Sequence, residues 1–181
     1  MDLSFGTLPA EAAEPEFTAI YSLWLSRIRD GHLPSRADFD PTDLPPAILK
    51  HMLLFEVDRQ PARFRFKFRL AATGFTALVG REVTGLYIDE LGSAERTAPV
   101  QWALEEIVRK GRPVFLASRL TLVNEDYYYV KRLGLPLAQD GARVDMVLAS
   151  FLPLKRAEEE ITLRAVSGSL PEPDGQVRYV L

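Results

Sequence analysis

The chain of 181 residues contains no cysteine. This absence excludes disulfides, thiolate nucleophiles, cysteine-ligated zinc, iron–sulfur clusters and any cofactor attached through sulfur. It also fits a reducing compartment. Only two histidines are present, His32 and His51, and they lie too far apart in the sequence for a typical transition-metal site. We therefore expect no chemistry that depends on sulfur and no metal site.

Long apolar segments and a strong net charge are also missing. The longest apolar segment, MVLASFLPL at 146–154, is much shorter than the about 20 residues that span a bilayer. The N-terminal segment is acidic and lacks the basic region and apolar core of a secretion signal. The net charge of −3 gives no reason to expect nucleic acid or an acidic membrane as partner. These features predict a soluble, cytoplasmic protein without membrane insertion or nucleic-acid binding.

Catalytic motifs are absent as well. The chain has no nucleophile elbow, no P-loop and no dinucleotide fingerprint. The carboxylates Asp38, Asp40 and Asp43 lack the glycine and terminal glutamate of a calcium loop, so we expect them to cap turns. Asp145 is a lone carboxylate in a predicted strand. Because an acid or base needs a partner in a desolvated pocket, we expect Asp145 to bind the N-terminal helix structurally, and we predict no catalytic residue.

Two segments have the apolar spacing of amphipathic helices. The central one covers about 97–110 and ends at Gly111. The N-terminal one covers 16–29, and its apolar stripe must lie against something. We predict that this stripe forms a dimer or partner interface, and its members are Phe17, Ile20, Tyr21, Trp24 and Ile28.

Five segments are predicted to be strands, two before the central helix and three after it. The segment LKHMLLFEVDR is apolar on both faces, which indicates that both are covered. The segment RFRFKFRL alternates strictly: Phe64, Phe66, Phe68 and Leu70 share one face. The opposite face carries a basic row, which we expect to be solvated or to dock an acidic partner; its members are Arg63, Arg65, Lys67 and Arg69. The last two strands meet at Asp140-Gly141, a typical hairpin signal.

This order of elements predicts an α+β fold with an antiparallel sheet. We expect the central helices on one face and the N-terminal helix on the other. Residues 1–15 are expected to be flexible, residues 16–153 to form the domain with its N-terminal helix, and residues 154–181 to form a C-terminal tail.

Three stretches in this order resemble the PAS domain family, and in particular stand-alone bacterial PAS-like regulatory proteins. They are the Trp-containing helix with the lead-in LPSRADFDPTDLP (33–45), the glycine-spaced segment FTALVGREVTGLYIDEL (75–91), and the hairpin LPLAQDGARVDMVL (135–148). The resemblance covers roughly residues 16–153. It implies a five-stranded sheet, a cavity between sheet and helices, and a regulatory role rather than turnover.

The resemblance also bears on cofactors and ligands. Some PAS proteins bind haem through a histidine on the long central helix, but residues 97–110 contain none. The flavin light sensors of the family need a cysteine for their photoadduct. We therefore expect neither haem nor a covalent flavin adduct, whereas a flavin held without covalent chemistry stays open. If a cavity exists, we expect a lipophilic or aromatic ligand and the lining residues Phe66, Phe68, Phe75, Leu104 and Met146.

The leading hypothesis is a sensory or regulatory module that acts by protein–protein contact, as a homodimer or with a signalling partner. A small apolar ligand in its core would gate that contact. One alternative is a ligand-free adaptor. A third reading, an isomerase or dehydratase on a cone-shaped α+β fold, needs a buried acid–base pair that the sequence does not supply. We therefore expect no enzyme activity.

Overall fold

A computed structural model of the chain describes residues 5–121, 127–154 and 176–181. Apart from short 3-10 turns, the helices in these ranges are α1 (Pro15–Ser26), α2 (Pro46–Leu49), α3 (Thr73–Val79) and α4 (Ala94–Lys110). The strands are β1 (Met52–Arg59), β2 (Phe64–Ala71), β3 (Val114–Thr121), β4 (Tyr127–Leu137), β5 (Met146–Leu154) and β6 (Val177–Val180). None of the described helices is long and apolar enough to cross a membrane.

The strands form one antiparallel sheet in the order β2-β1-β5-β4-β3-β6. The predicted α+β fold and its five strands are confirmed. The sixth strand was not predicted, because it is only four residues long and lies in the segment expected to be a tail. It pairs with β3 from Ala117 to Val114. The Leu181 N–H also donates to the Pro113 carbonyl at 2.9 Å, so these last residues extend the sheet.

Alternate residues of each strand point to opposite faces of the sheet. We call the face that carries Phe55 and Phe68 the inner face; α3 and α4 cover it. The face that carries Phe115 and Lys131 is the outer face, and α1 covers it through Phe17 and Glu14. The two predicted layers are therefore present, with helices on both sides of the sheet.

A β-bulge changes the predicted alternation of β2. Phe66 and Phe68 lie opposite Val57 and Phe55 on the inner face, but the register then shifts. After the shift Leu70 lies opposite Leu54 and is 44% exposed. The prediction that Leu70 shares the dry face of the phenylalanines is therefore wrong, because one extra residue in a strand moves every later side chain to the other face.

Two members of the basic row, Arg63 and Arg65, are neutralised within the chain. Arg65 binds Asp89 through two hydrogen bonds of 2.9 and 2.6 Å, and Arg63 lies 3.2 Å from the same carboxylate. The Arg65 guanidinium also lies 3.7 Å from the centre of the Tyr87 ring, a favourable cation–π contact. The preceding residue, Leu86, receives the Phe68 N–H in a 2.9 Å bond. Segment 85–91 therefore lies along the free edge of β2, and its Asp89 binds Arg63 and Arg65.

The hairpin between β4 and β5 is confirmed, with a longer connection than the Asp-Gly pair alone requires. Gly141 has φ +75°, a conformation that favours glycine. Asp140 Oδ1 accepts hydrogen bonds from the N–H groups of Ala142 and Arg143. Asp145 Oδ2 accepts one from the Gln139 N–H at 3.0 Å. Asp145 thus has the structural role predicted, but its partner is the hairpin backbone and not the N-terminal helix.

The lead-in carboxylates also act locally. Asp38 forms a capping box with Ser35, and Asp40 accepts the Thr42 N–H at 2.8 Å. Asp43 instead binds Arg27 at 2.7 Å. The prediction that Asp40 caps a turn is confirmed, and Asp43 serves as an ion-pair partner of the segment after α1.

The residues before α1 pack against it. The Phe5 ring lies 4.7 Å from the Trp24 ring in an edge-on arrangement, the Tyr21 hydroxyl donates to the Gly6 carbonyl at 2.6 Å, and Ala12 is fully buried. The division of the chain at residues 15 and 153 stays a prediction. Most of the predicted tail, residues 155–175, lies outside the described residues.

Candidate functional site

A cavity of about 100 Å³ lies between the inner face of the sheet and the layer formed by α3, the turn Ile88–Glu90 and α4. Apolar side chains from β1, β2, β3 and β5 line the sheet side, and the apolar stripe of α4 lines the opposite side. The exposed residues Gly92 and Arg96 lie at its rim. For comparison, an apolar cavity of about 150 Å³ is known to bind benzene. The cavity is therefore suited to a small molecule.

Aromatic rings form a continuous wall at one side of the cavity. The ring centroids of Phe55 and Phe68 are 4.7 Å apart, those of Phe68 and Phe75 5.6 Å, and those of Phe75 and Phe151 5.3 Å. His51 continues the series, 5.3 Å from Phe151. These distances are typical of aromatic pairs that stabilise a core, so the rings of this wall support one another by packing.

Helix α4 covers the cavity. It begins at Ala94, earlier than the expected Thr97, because the Ser93 hydroxyl caps it by accepting the Arg96 N–H. It ends at Gly111, whose φ is +62°. The helix approaches β4 closely at Gly134, where an added Cβ would lie 2.5 Å from Ile107 Cδ1. A side chain at this position would require the Ile107 side chain to move, so glycine fits this close contact.

Three of the five residues predicted to line a cavity do so: Phe68, Phe75 and Leu104. Phe66 is buried on the inner face, outside the lining. The prediction that Met146 lines the cavity is wrong, because Met146 lies opposite Glu56 on the outer face. The segment MVLASFL is apolar on both faces, so period-two alternation could not decide which set points inward. Whether these residues bind a ligand stays a prediction.

Arg132 lines the cavity and was missed by sequence reasoning. Its Nη1 donates to Ser118 Oγ at 2.9 Å and to the Val130 carbonyl at 3.0 Å. Desolvation lowers the pKa of Arg132 to about 10, so the side chain keeps its charge at neutral pH. The signal was present in the sequence: Arg132 shares a strand face with Gly134, and that glycine marks the close approach of a helix.

The predicted interface residues lie within the chain's own core. Phe17, Ile20, Tyr21 and Trp24 are buried on the outer face of the sheet, and Ile28 is partly buried against the same cluster. The Trp24 indole N–H donates to the Pro136 carbonyl at 2.8 Å. This corrects the expectation that the stripe is free for a partner. The apolar stripe could contact a partner only if α1 moved away from the sheet.

The buried face of His51 predicts a pH-dependent stability. Desolvation, and then Lys50, lower the pKa of His51, whereas Glu16 raises it; its Nδ1 is buried without a hydrogen-bond partner. As the pH is lowered below 6.5, His51 takes up a proton in the unfolded chain before it does so in the folded chain. The free energy of unfolding therefore decreases on acidification until the pH has passed the pKa of His51 in the folded state. Denaturant unfolding between pH 7.5 and 5 should show this loss, and His51→Phe should reduce it.

The control for this prediction is the other histidine. His32 is exposed, so we expect His32→Asn to keep the pH dependence of the wild type. An equal loss of stability on acidification in the wild type and in His51→Phe would contradict the assignment to His51.

The sequence itself matches a family model. The model described as PAS domain matches residues 13–152, which is more than three quarters of the chain. The chain belongs to the PAS domain family. No curated protein matched the sequence at a significant level. The resemblance inferred from the three sequence stretches is thereby confirmed.

One solved structure supports the fold, and a second is reported beside it. A light-oxygen-voltage domain studied with a flavin analogue has a TM-score of 0.50 and 14% identity, covering 66% of this chain and 87% of its own. The LOV protein of Rhodobacter sphaeroides has a TM-score of 0.48 and 19% identity, covering 67% of this chain and 70% of its own. At 14% identity the likeness to the first of these structures concerns the fold alone. PAS domains are sensory and regulatory modules, and the predicted sensory or regulatory class is supported at this level.

Proposed function

We propose that this PAS domain is a ligand-gated regulatory module: a small molecule in the inner cavity changes how α1 packs on the outer face. The changed packing would then alter a protein–protein contact, with a second copy of the chain or with a signalling partner. The observation that carries the proposal is that a single strand, β4, contacts both the cavity and α1.

Neighbouring residues of β4 make these two sets of contacts. Arg132 and Gly134 face the cavity. Lys131 binds Glu14 just before α1, and the Pro136 carbonyl accepts the Trp24 indole N–H. Because successive residues of a strand point to opposite faces, a shift of β4 caused on the inner side must be felt on the outer side. This gives a direct physical link between ligand and helix.

The size of the cavity restricts the ligand. At about 100 Å³ it is smaller than the cavities of about 300–1,000 Å³ that hold drug-sized ligands. A single aromatic ring or a short branched chain matches this space after slight adjustment of the lining. A larger molecule, such as a flavin, would require α4 to move away from the sheet. The expected ligand is therefore small and mainly apolar.

The proposal can be tested with toluene as an uncharged probe of the cavity. We expect toluene to raise the melting temperature, since a ligand that binds only the folded state stabilises it. Hydrogen exchange of the α1 amides (Pro15–Ser26) should become faster when toluene binds, because occupancy shifts the population towards a looser packing of the helix.

The control is a variant in which the cavity is filled. Ala103 is buried and lines the cavity from α4, so Ala103→Leu should abolish both effects of toluene without breaking the helix. If toluene binds and the hydrogen exchange of α1 stays unchanged, the proposed coupling between the cavity and α1 is contradicted. The chain would then be a ligand-binding domain whose ligand does not change the packing of α1. If toluene does not bind, an uncharged, fully apolar ligand of this cavity is contradicted.

A further inference from the structure

Arg132 places a positive charge in an apolar cavity without a counter-charge in the described part of the chain. Both of its hydrogen bonds go to neutral oxygens, those of Ser118 and Val130. No carboxylate of the described residues forms an ion pair with it. Arg132 is partly buried, and a desolvated charge in a protein is normally paired, because an unpaired one is costly. Two other cations of the sheet are paired with carboxylates: Arg65 binds Asp89, and Lys131 binds Glu14.

The hydrogen bonds of Arg132 leave one edge of its guanidinium available. Only Nη1 donates to the described residues, so the N–H groups of Nε and Nη2 have no protein partner among them. These two groups point in parallel from one edge of the planar guanidinium, a geometry that matches the two oxygens of a carboxylate. Ser118 and Val130 fix the opposite side, so that the fork is already oriented.

We propose that the ligand of this cavity is a small organic anion, a monocarboxylate with an apolar body, whose carboxylate binds Arg132 and whose body contacts the aromatic wall. This inference rests on the proposed function and specifies the chemical class of its ligand. None of the described residues supplies a counter-charge to Arg132. The ligand therefore supplies the missing counter-charge as well as apolar volume.

A second cation, Arg96, lies at the rim and provides a matched comparison. It lines the cavity like Arg132, but it is exposed at the start of α4. In water, a charge pair contributes little to affinity, whereas a pair in a desolvated setting contributes much more. Selectivity for an anion must therefore come from Arg132.

The test compares benzoate with benzamide, which has nearly the same shape but no charge. Binding to the full chain is measured by calorimetry at pH 7. We expect benzoate to bind about ten- to hundredfold more tightly than benzamide, the range for hydrogen bonds to charged groups. Arg132→Met should remove this preference by weakening benzoate and leaving benzamide unchanged, whereas Arg96→Gln should retain it. In the wild type, the guanidinium Nε–H signal of Arg132 should shift with benzoate and not with benzamide.

The outcomes separate the two proposals. Equal binding of benzoate and benzamide overturns the carboxylate inference and leaves the gated cavity intact. A preference for benzoate that survives in Arg132→Met, or is lost in Arg96→Gln, also overturns it. If neither compound binds and toluene does not bind either, the proposed function fails as well. If Arg132→Met does not fold, the comparison of the two compounds and the Nε–H signal in the wild type still decide the question.

Discussion

Replacing Trp24 by alanine is expected to lower the free energy of unfolding by about 3–5 kcal/mol, the range for removing a fully buried large aromatic side chain. Trp24 is fully buried between α1 and the sheet. It contacts Phe5 and Tyr21 and donates a hydrogen bond to the Pro136 carbonyl. Chemical denaturation of the purified variant, compared with the wild type, measures the loss.

Two controls separate the contributions of Trp24. Trp24→Phe keeps most of the apolar volume and removes the hydrogen bond to Pro136, so we expect a smaller loss, of about 1–2 kcal/mol. Trp102, the other tryptophan, is only partly buried and lies beneath the Arg178 guanidinium. Trp102→Ala should therefore cost less than Trp24→Ala. Equal losses at the two positions would contradict the role of Trp24 as the main anchor of α1.

Replacing Glu14 by alanine is expected to cost about 3 kcal/mol, at the low end of the range for breaking a buried ion pair. Its partner Lys131 is only 9% exposed, so the ammonium would be left buried without a counter-charge. The low end applies because Glu14 itself is 25% exposed, which lets water relax around the site. Denaturant unfolding at neutral pH measures the change.

The reverse substitution gives the matched control. Lys131→Met leaves the more exposed partner unpaired and replaces the ammonium by an apolar group, so its cost should be smaller. The double variant Glu14→Ala/Lys131→Met should be more stable than Glu14→Ala alone, because no buried charge is left without a partner. A double variant as unstable as the sum of the single variants would show that the two side chains do not interact.

Patterns within single elements were predicted well from the sequence. The spacing of Phe17, Ile20 and Trp24 gave the N-terminal helix, and the alternation of Phe64, Phe66 and Phe68 gave β2. The Asp140-Gly141 pair gave the last hairpin. Each of these signals is local: the period of the apolar residues or the backbone requirement of a turn fixes it before any long-range contact forms.

The errors concern quantities that depend on neighbouring elements. Met146 was assigned to the cavity because β5 is apolar on both faces, and only its pairing with Glu56 on β1 decides its side. Leu70 was displaced by a bulge opposite Leu54. The stripe around Trp24 was expected to face a partner, yet the chain's own sheet covers it. In each case the sequence specifies an apolar face but not what lies against it.

The sequence by itself determined the order of the two main helices and the first five strands, the family to which the chain belongs, and the absence of cysteine chemistry. These properties follow from residue types and their spacing. Only the tertiary structure decided that Arg132 faces an apolar cavity and that Glu14 lies against Lys131, 117 positions away. The environment of a charge depends on groups brought together by folding, and this environment sets both its pKa and its need for a partner.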